Sequence, residues 1–404
     1  MADPLPAQPI APIAPGNKPA TVTSVPLLKT LPFPKPAPSP FAGSQRQNQR
    51  QRLQAKLQGA LNAAILAGPG TSWRTPICIV ALPNTNGTGP PCVLASFRPI
   101  ENHYTASLAK IHAMYAAFQL RETLRAIAAE LGPNAAPATV IPTARAYLNP
   151  LIMAQAGPLL ARAPLDPRSK NPVTLANRLP SYTGFEAATT GSGVTVNFTG
   201  AYQQLLNDMI TVSSDPAAGQ CIHNIGYAYL NGALASAGFF DATSQNGLWL
   251  AADYSDFKDW GALTIDTVND GQASAVATVV QMASLLTQIY LIGGLFYTGT
   301  VKDQPDPANP TATANGRARQ GMLDLLRKTG SWLTANKTVG FQRFGAKVGL
   351  GELKDKTTSV MSEGAILTHT RSARRFVAVW QNFVWGGIDP VARVIDSTLN
   401  AFLS

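Results

Sequence analysis

Segments with strand character cluster at the two ends of this 404-residue chain, and the long middle reads as helix and loop. Near the start, apolar runs at 76–82 and 91–97 flank Asn84-Thr85-Asn86-Gly87-Thr88-Gly89-Pro90, which predicts a hairpin. Three further strands are predicted at 346–350, 364–369 and 375–380. Helical spacing of apolar residues predicts helices at 46–66, 105–131, 202–237, 273–292, 318–333 and 390–402, the third interrupted near 213–219. Residues 132–200 are punctuated by Pro and Gly around one short β-like run, Val194-Thr195-Val196-Asn197-Phe198. Loops are expected at 248–260, rich in aromatics, and at 302–315, rich in Pro, Asn and Thr. The expected fold class is therefore α+β: one antiparallel sheet built from both chain ends (44–104 and 340–404), with an all-helical lobe (105–339) inserted between them. A cleft between the lobes is the natural place for a site.

Residues 1–43 carry twelve prolines in the first forty positions and read as an extended arm that wraps over the body or tethers it. The remainder, with 45% hydrophobic residues overall, is ample for a large core. The net charge of +10 is spread thinly apart from Gln45-Arg46-Gln47-Asn48-Gln49-Arg50-Gln51-Arg52. That run lacks interleaved aromatics and reads as a solvated helix start, so no nucleic-acid partner is expected. Cys78 and Cys92 lie in the two hairpin runs, where either a disulfide or two reduced core thiols fits; Cys221 stands apart. Cys and His show no metal-ligand spacing, and neither a metal nor a cofactor is expected. Met1-Ala2-Asp3-Pro4 lacks the basic start of a secretory signal. The most apolar stretch, 276–297, is broken by Gln281, Ser284, Thr287 and Gln288, which predicts a buried helix rather than a membrane span.

Where the first long helix begins, Ser107-Leu108-Ala109-Lys110 puts a serine and a lysine on one helix face. A serine hydroxyl needs a neighbouring base to act as a nucleophile, and burial lowers a lysine pKa toward that role. A second such spacing, Ser255-Asp256-Phe257-Lys258, lacks the helix-start setting.

From residue 46 onward the chain resembles the penicillin-recognising serine hydrolases, the β-lactamases and D-alanyl-D-alanine peptidases, whose motifs are SxxK, SxN and KTG. Ser107 to Lys110 is the first motif. Met209-Ile210-Thr211-Val212-Ser213-Ser214-Asp215-Pro216-Ala217-Ala218 is similar to the segment around the second, with Asp215 in the Asn place. Lys328-Thr329-Gly330 is a literal third motif but reads as a helix end with a glycine cap. Lys347-Val348-Gly349-Leu350-Gly351 heads the terminal strand set and is preferred.

The resemblance implies that Ser107 attacks, Lys110 is the base, Ser213 relays protons and Lys347 anchors an anionic substrate group. Backbone N–H groups of Ser107 and Leu350 would form the oxyanion hole. Asp215, Val348, Gly349 and Leu350 would line the substrate. An ionised Asp215 only accepts hydrogen bonds, which favours substrates with an amine or amide donor. Val348 replaces the Thr hydroxyl that binds a substrate carboxylate. No Glu occurs between Glu186 and Glu352, so the glutamate of class A β-lactamase deacylation lacks a counterpart. Asp253, Asp256 and Asp259 read as solvated loop acids.

His369 offers an alternative cationic edge but reads as surface loop, and His103, His112 and His223 read as core or surface groups. Trp249, Tyr254 and Trp260 read as core packing, with a cleft rim as the alternative. The expected function is an SxxK serine hydrolase with a small-molecule or peptide-like substrate in the periplasm or outside the cell. The alternatives are a β-lactamase with an unusual deacylation base and a catalytically degraded binding or scaffold protein.

Overall fold

The computed structural model describes residues 28–34, 41, 47–83, 91–174, 178–191, 193–254, 261–291, 314–335, 340–384 and 388–404. The predicted hairpin loop, the second serine–lysine spacing, Asp256, Asp259, Trp260 and most of the arm lie outside these residues. Helix α1 (Gln47–Ala67) leads into strands β1 (Ile77–Ala81), β2 (Val93–Phe97) and β3 (His103–Tyr104). A 3₁₀ turn (Ala106–Ala109) then opens α2 (Lys110–Leu131) and α3 (Pro137–Ala161). The hairpin β4 (Phe185–Thr190) and β5 (Gly193–Phe198) precedes α4 (Gly200–Thr211), α5 (Asp215–Ile225) and α6 (Tyr227–Ser236). Short strands follow: β6 (Phe240–Asp241), β7 (Asn246–Gly247), β8 (Trp249–Leu250), β9 (Ile265–Thr267), β10 (Gly271–Ala273) and β11 (Ala275–Ala277). Next come α7 (Val279–Tyr290), α8 (Ala314–Arg327) and α9 (Trp332–Ala335). The chain closes with β12 (Phe341–Glu352), β13 (Ser359–His369), β14 (Arg375–Val384) and α10 (Asp389–Leu403).

The architecture is α+β, with one antiparallel sheet made from both chain ends in the order β12-β13-β14-β1-β2. The junction of the two ends is β1 against β14, registered from Ile77 opposite Trp380 to Ala81 opposite Phe376. Alternation along these strands sorts two cores. Ile77, Ile79, Ala81, Phe376, Ala378 and Trp380 pack with α1 and α10, while Cys78, Val80, Val377 and Val379 face the helical lobe. Nearly every face of α2 is buried, as befits the central helix of that lobe.

Several boundaries move, and each shift has a local cause. Ser107 sits on the 3₁₀ turn, one turn ahead of the α-helix that begins at Lys110. The interruption of the 202–237 block shrinks to 212–214, because Ser214 caps α5 and Pro216 occupies its first turn, where a missing N–H costs nothing. Residues 137–161, expected as punctuated loop, form a helix despite Pro142, Pro150 and Pro158. All three prolines lie on its exposed side, where the carbonyls they free remain open to water, and Val140, Ala144, Leu148, Ile152 and Ala156 form its buried stripe. The helix expected over 273–292 is two short strands followed by α7.

Cys78 and Cys92 are free and buried, and Cys78 lies opposite Ser96 in the β1–β2 register rather than opposite Cys92. The Gln-rich start of α1 has a structural role. Gln58 closes a two-way hydrogen-bond pair with the backbone of Ser96, and Gln54 does the same with Leu94. These amides stand in for a missing neighbour strand along the edge of β2. Leu28–Pro34 of the arm packs on the helical lobe. There Phe33 fills the notch left by Gly232 against Tyr229, and Glu130 receives both Lys29 N and Thr30 Oγ1 at 2.7 Å. Among the described residues no helix is long and apolar enough to cross a membrane.

Candidate active site

The 3₁₀ turn that carries Ser107 is held from four directions. Thr105 N donates to Ala275 O of β11 at 3.1 Å, and Ser362 Oγ of β13 donates to Thr105 O at 2.8 Å. Tyr254 Oη donates to Ala106 O at 3.1 Å. From the fourth side comes β12, whose alternation turns Lys347, Gly349 and Gly351 toward the turn. A Cβ on Gly349 would lie 2.3 Å from Thr105 O and 2.6 Å from Leu108 N, so only glycine lets the strand approach this closely. Ala106 (φ 48°) and Ser213 (φ 60°) are left-handed non-glycine residues, and such strain gathers at functional sites.

Lys110 begins α2, entirely buried, and its Nζ donates to Ser213 O at 2.6 Å and Asp215 Oδ1 at 2.5 Å, with Ser213 Oγ at 3.4 Å. Its ammonium also lies 4.8 Å from the centre of the Tyr254 ring. Lys347 is 1% exposed and donates to Ser213 Oγ at 2.7 Å and Val348 O at 2.8 Å. Burial lowers the pKa of both amines. For Lys110 the adjacent Asp215 carboxylate opposes that shift. Lys347 falls to about 7, because the Lys110 charge adds to its desolvation while Asp215 opposes.

Sequence-predicted residues Lys110, Ser213, Asp215 and Lys347 thus meet in one cluster. Ser107 is partly buried beside it, and its hydroxyl makes no hydrogen bond to Lys110 or Ser213; the lysine amine is directed to Ser213 and Asp215 instead. Gly349 packs on the serine turn, whereas Leu350, at the next position of β12, is 50% exposed. Val348 is partly buried.

The literal third motif lies elsewhere: Lys328 is exposed just past α8 and donates to Asn207 Oδ1 at 3.2 Å. His369 corrects the surface-loop expectation, being buried at the end of β13 with Ser372 Oγ at 3.1 Å. Asp253 is likewise buried rather than solvated, with Oδ2 3.6 Å from His223 Nε2. His103 and His112 are buried. Trp249 is core, its indole N–H donating to Leu263 O, while Tyr254 belongs to the site. Ser362 was not singled out by sequence; its role depends on contact between distant segments, its hydroxyl donating to Thr105 O.

A cavity of about 320 Å³ adjoins the cluster, lined by Tyr104, Asp215 and Tyr254 and then by Arg168, Asp270, Glu352, Lys354 and Lys356. It offers charges of both signs next to Asp215 and suits a polar substrate portion. Burial pushes the Tyr104 phenol up to about 12, so it stays protonated as a donor.

No protein-family model and no curated protein matches this chain. Similar solved structures include a β-lactamase from Sphaerobacter thermophilus DSM 20745 (15% identity, 85% of this chain and 96% of that one, TM-score 0.41). TLA-3 extended-spectrum β-lactamase is also similar (9% identity, 86% and 97%, TM-score 0.47). So is a class A β-lactamase from Bacteroides cellulosilyticus DSM 14838 (11% identity, 87% and 96%, TM-score 0.43). At these identities and TM-scores no residue role transfers, and the site rests on its own geometry.

Proposed function

We propose that the chain is a serine acyl-enzyme hydrolase acting on an amide or ester, of the penicillin-binding and peptidase type. Ser107 attacks the carbonyl, and Ser213 moves protons between the nucleophile, a lysine amine and the leaving group. Backbone N–H groups of Ser107 and Leu350 receive the developing oxyanion. The observation that carries this reading is the meeting of two buried amines at Ser213, Lys110 on its carbonyl at 2.6 Å and Lys347 on its hydroxyl at 2.7 Å. Two amines without a chemical role are a costly filling for a protein interior.

The half-exposed Asp215 carboxylate and the lack of a hydroxyl at Val348 favour a substrate with an amine or amide donor over one held by its carboxylate. A cell-envelope peptide would be such a substrate, and with it the working compartment would be the periplasm or the outside of the cell. A silent binding protein of the same architecture is the second reading, favoured by the close Lys110–Asp215 pair and by the lack of a Ser107 hydrogen bond to either lysine.

Incubation with a fluorescent penicillin and with a fluorophosphonate, followed by intact mass, separates the two. The expected result is a stable adduct in the native protein that Ser107→Ala loses. Absence of an adduct with both probes would refute the hydrolase reading. Turnover of a chromogenic cephalosporin would mark it as a β-lactamase with its own deacylation base.

A further inference from the structure

We propose that Lys347, rather than Lys110, is the neutral amine that takes the Ser107 proton, acting through the hydroxyl of Ser213. The inference rests on the serine-hydrolase reading above and exchanges the roles expected of the two lysines. Geometry separates them. The Lys110 ammonium is engaged by a carboxylate oxygen at 2.5 Å and a carbonyl at 2.6 Å, and Ser213 Oγ lies a distant 3.4 Å away. Burial lowers the pKa of this amine, and a carboxylate at that range opposes the fall and favours the charged form. Among the described residues, Lys347 has no carboxylate partner. Its Nζ is 2.7 Å from Ser213 Oγ, and Val348 O at 2.8 Å takes one of its N–H groups, which leaves a lone pair for the serine.

The charged and titratable groups facing Lys347 are Lys110 from α2 and Asp215 from α5. The lysine charge is the stronger of the two influences and favours a neutral Lys347, in line with its fall to about 7. The difference arises from Asp215: an amide at that position would leave Lys110 without its anionic partner.

In acylation the Ser107 hydroxyl, which does not touch Ser213 in the resting arrangement, turns toward it; Ser107 Oγ forms its bond to the carbonyl carbon as its proton passes to Ser213 Oγ, and the Ser213 proton passes to Lys347 Nζ. The resulting Lys347 ammonium then returns one proton through Ser213 to the departing nitrogen or oxygen as the acyl bond breaks. Lys110 stays an ammonium throughout and orients Ser213 through its carbonyl.

The test uses a fluorophosphonate with an uncharged linker, so that anchoring of an anionic group plays no part. Serine oxygen bonds to phosphorus, fluoride leaves, and the proton must go to a base. Second-order labelling rates of Ser107 are measured from pH 5 to 9 in the native protein, Lys347→Arg, Lys347→Gln and Lys110→Arg, each checked for folding by circular dichroism. Expected are an acid limb with its midpoint near 7 in the native protein and at least ~100-fold slower labelling without that limb in both Lys347 variants; Lys110→Arg, which disturbs the cation that orients Ser213, labels more slowly but keeps the limb.

A native profile flat across pH 6–8, or a Lys347 variant that keeps the limb, would overturn the assignment. So would loss of the limb in folded Lys110→Arg. Failure of the native protein to label at all would instead bring down the hydrolase reading itself.

Discussion

Asp215 is the residue on which the chemistry of the cluster turns, because its carboxylate stands within 2.5 Å of a buried lysine and still faces the cavity. Its second oxygen is available to a substrate donor, and a hydrogen bond between charged groups contributes about 1.5–3 kcal/mol. Asp215→Asn is therefore expected to weaken KM for an amine-bearing ester by about tenfold or more, relative to the same ester with the amine acetylated. Equal effects on both esters would place the substrate amine elsewhere. Residue types and chain order pointed to Lys110, Ser213, Asp215 and Lys347, which the fold brings together, and to Ser107, which lies beside them without a hydrogen bond to Lys110 or Ser213. Which lysine faces which acceptor was not readable, since that depends on the left-handed turn at Ser213 and on how far β12 advances toward α2.

At the scale of elements, β12 and the serine turn are fitted through Gly349. Adding a methyl there meets backbone on both sides, Thr105 O and Leu108 N, which side-chain rotation cannot relieve. Gly349→Ala should cost about 1–3 kcal/mol in stability. It should slow Ser107 labelling far more, toward a hundredfold, because a shift of about 1 Å misplaces the hydroxyl proposed as the nucleophile. Urea unfolding and labelling rates on the same preparation check both, and normal labelling would show that the turn tolerates displacement.

The arm makes an element-scale contact of another kind. Phe33 is 5% exposed against Tyr229 and Gly232, so Phe33→Ala should cost about 3 kcal/mol and make the 28–34 segment sensitive to protease. Unchanged stability would mean that the arm adds little to the fold. Proline content announced an extended segment, but the notch that receives Phe33 exists only once α3 and α6 have packed. Helix α3 shows the opposite failing of local reading: its prolines signal breaks, and only their placement on the exposed side makes the helix possible.

For the molecule as a whole, pH acts through two buried groups outside the cluster with opposite signs. Burial raises Glu363 from 4.5 to about 7, with the Ser331 hydroxyl and the Leu333 N–H opposing. Between those values the unfolded chain has released the proton and the folded chain keeps it, so stability falls as pH rises. The loss is about 3 kcal/mol by pH 7. Burial lowers His112 from 6.5 to about 3, so the unfolded chain takes up a proton first and stability falls as pH drops below 6.5. Urea unfolding at a series of pH values should show the native protein losing about 3 kcal/mol relative to Glu363→Gln between pH 4.5 and 7.5. A constant difference between the two would mean that Glu363 titrates normally.

By itself the sequence determined that strands from both chain ends share one antiparallel sheet; it did not determine the middle of the chain, where α3 and the short strands β6 to β11 stand in a lobe expected to be all helix and loop. Period-two and helical spacing are local, and the need to bury apolar faces leaves few ways to combine them. Tertiary structure alone decided what the polar residues do. Burial and distance set the charge of an amine, and both arise where α2, the Ser213 link and β12, far apart in sequence, come together. Asp215 pairs with Lys110 there, and Lys347 is left with the serine hydroxyl.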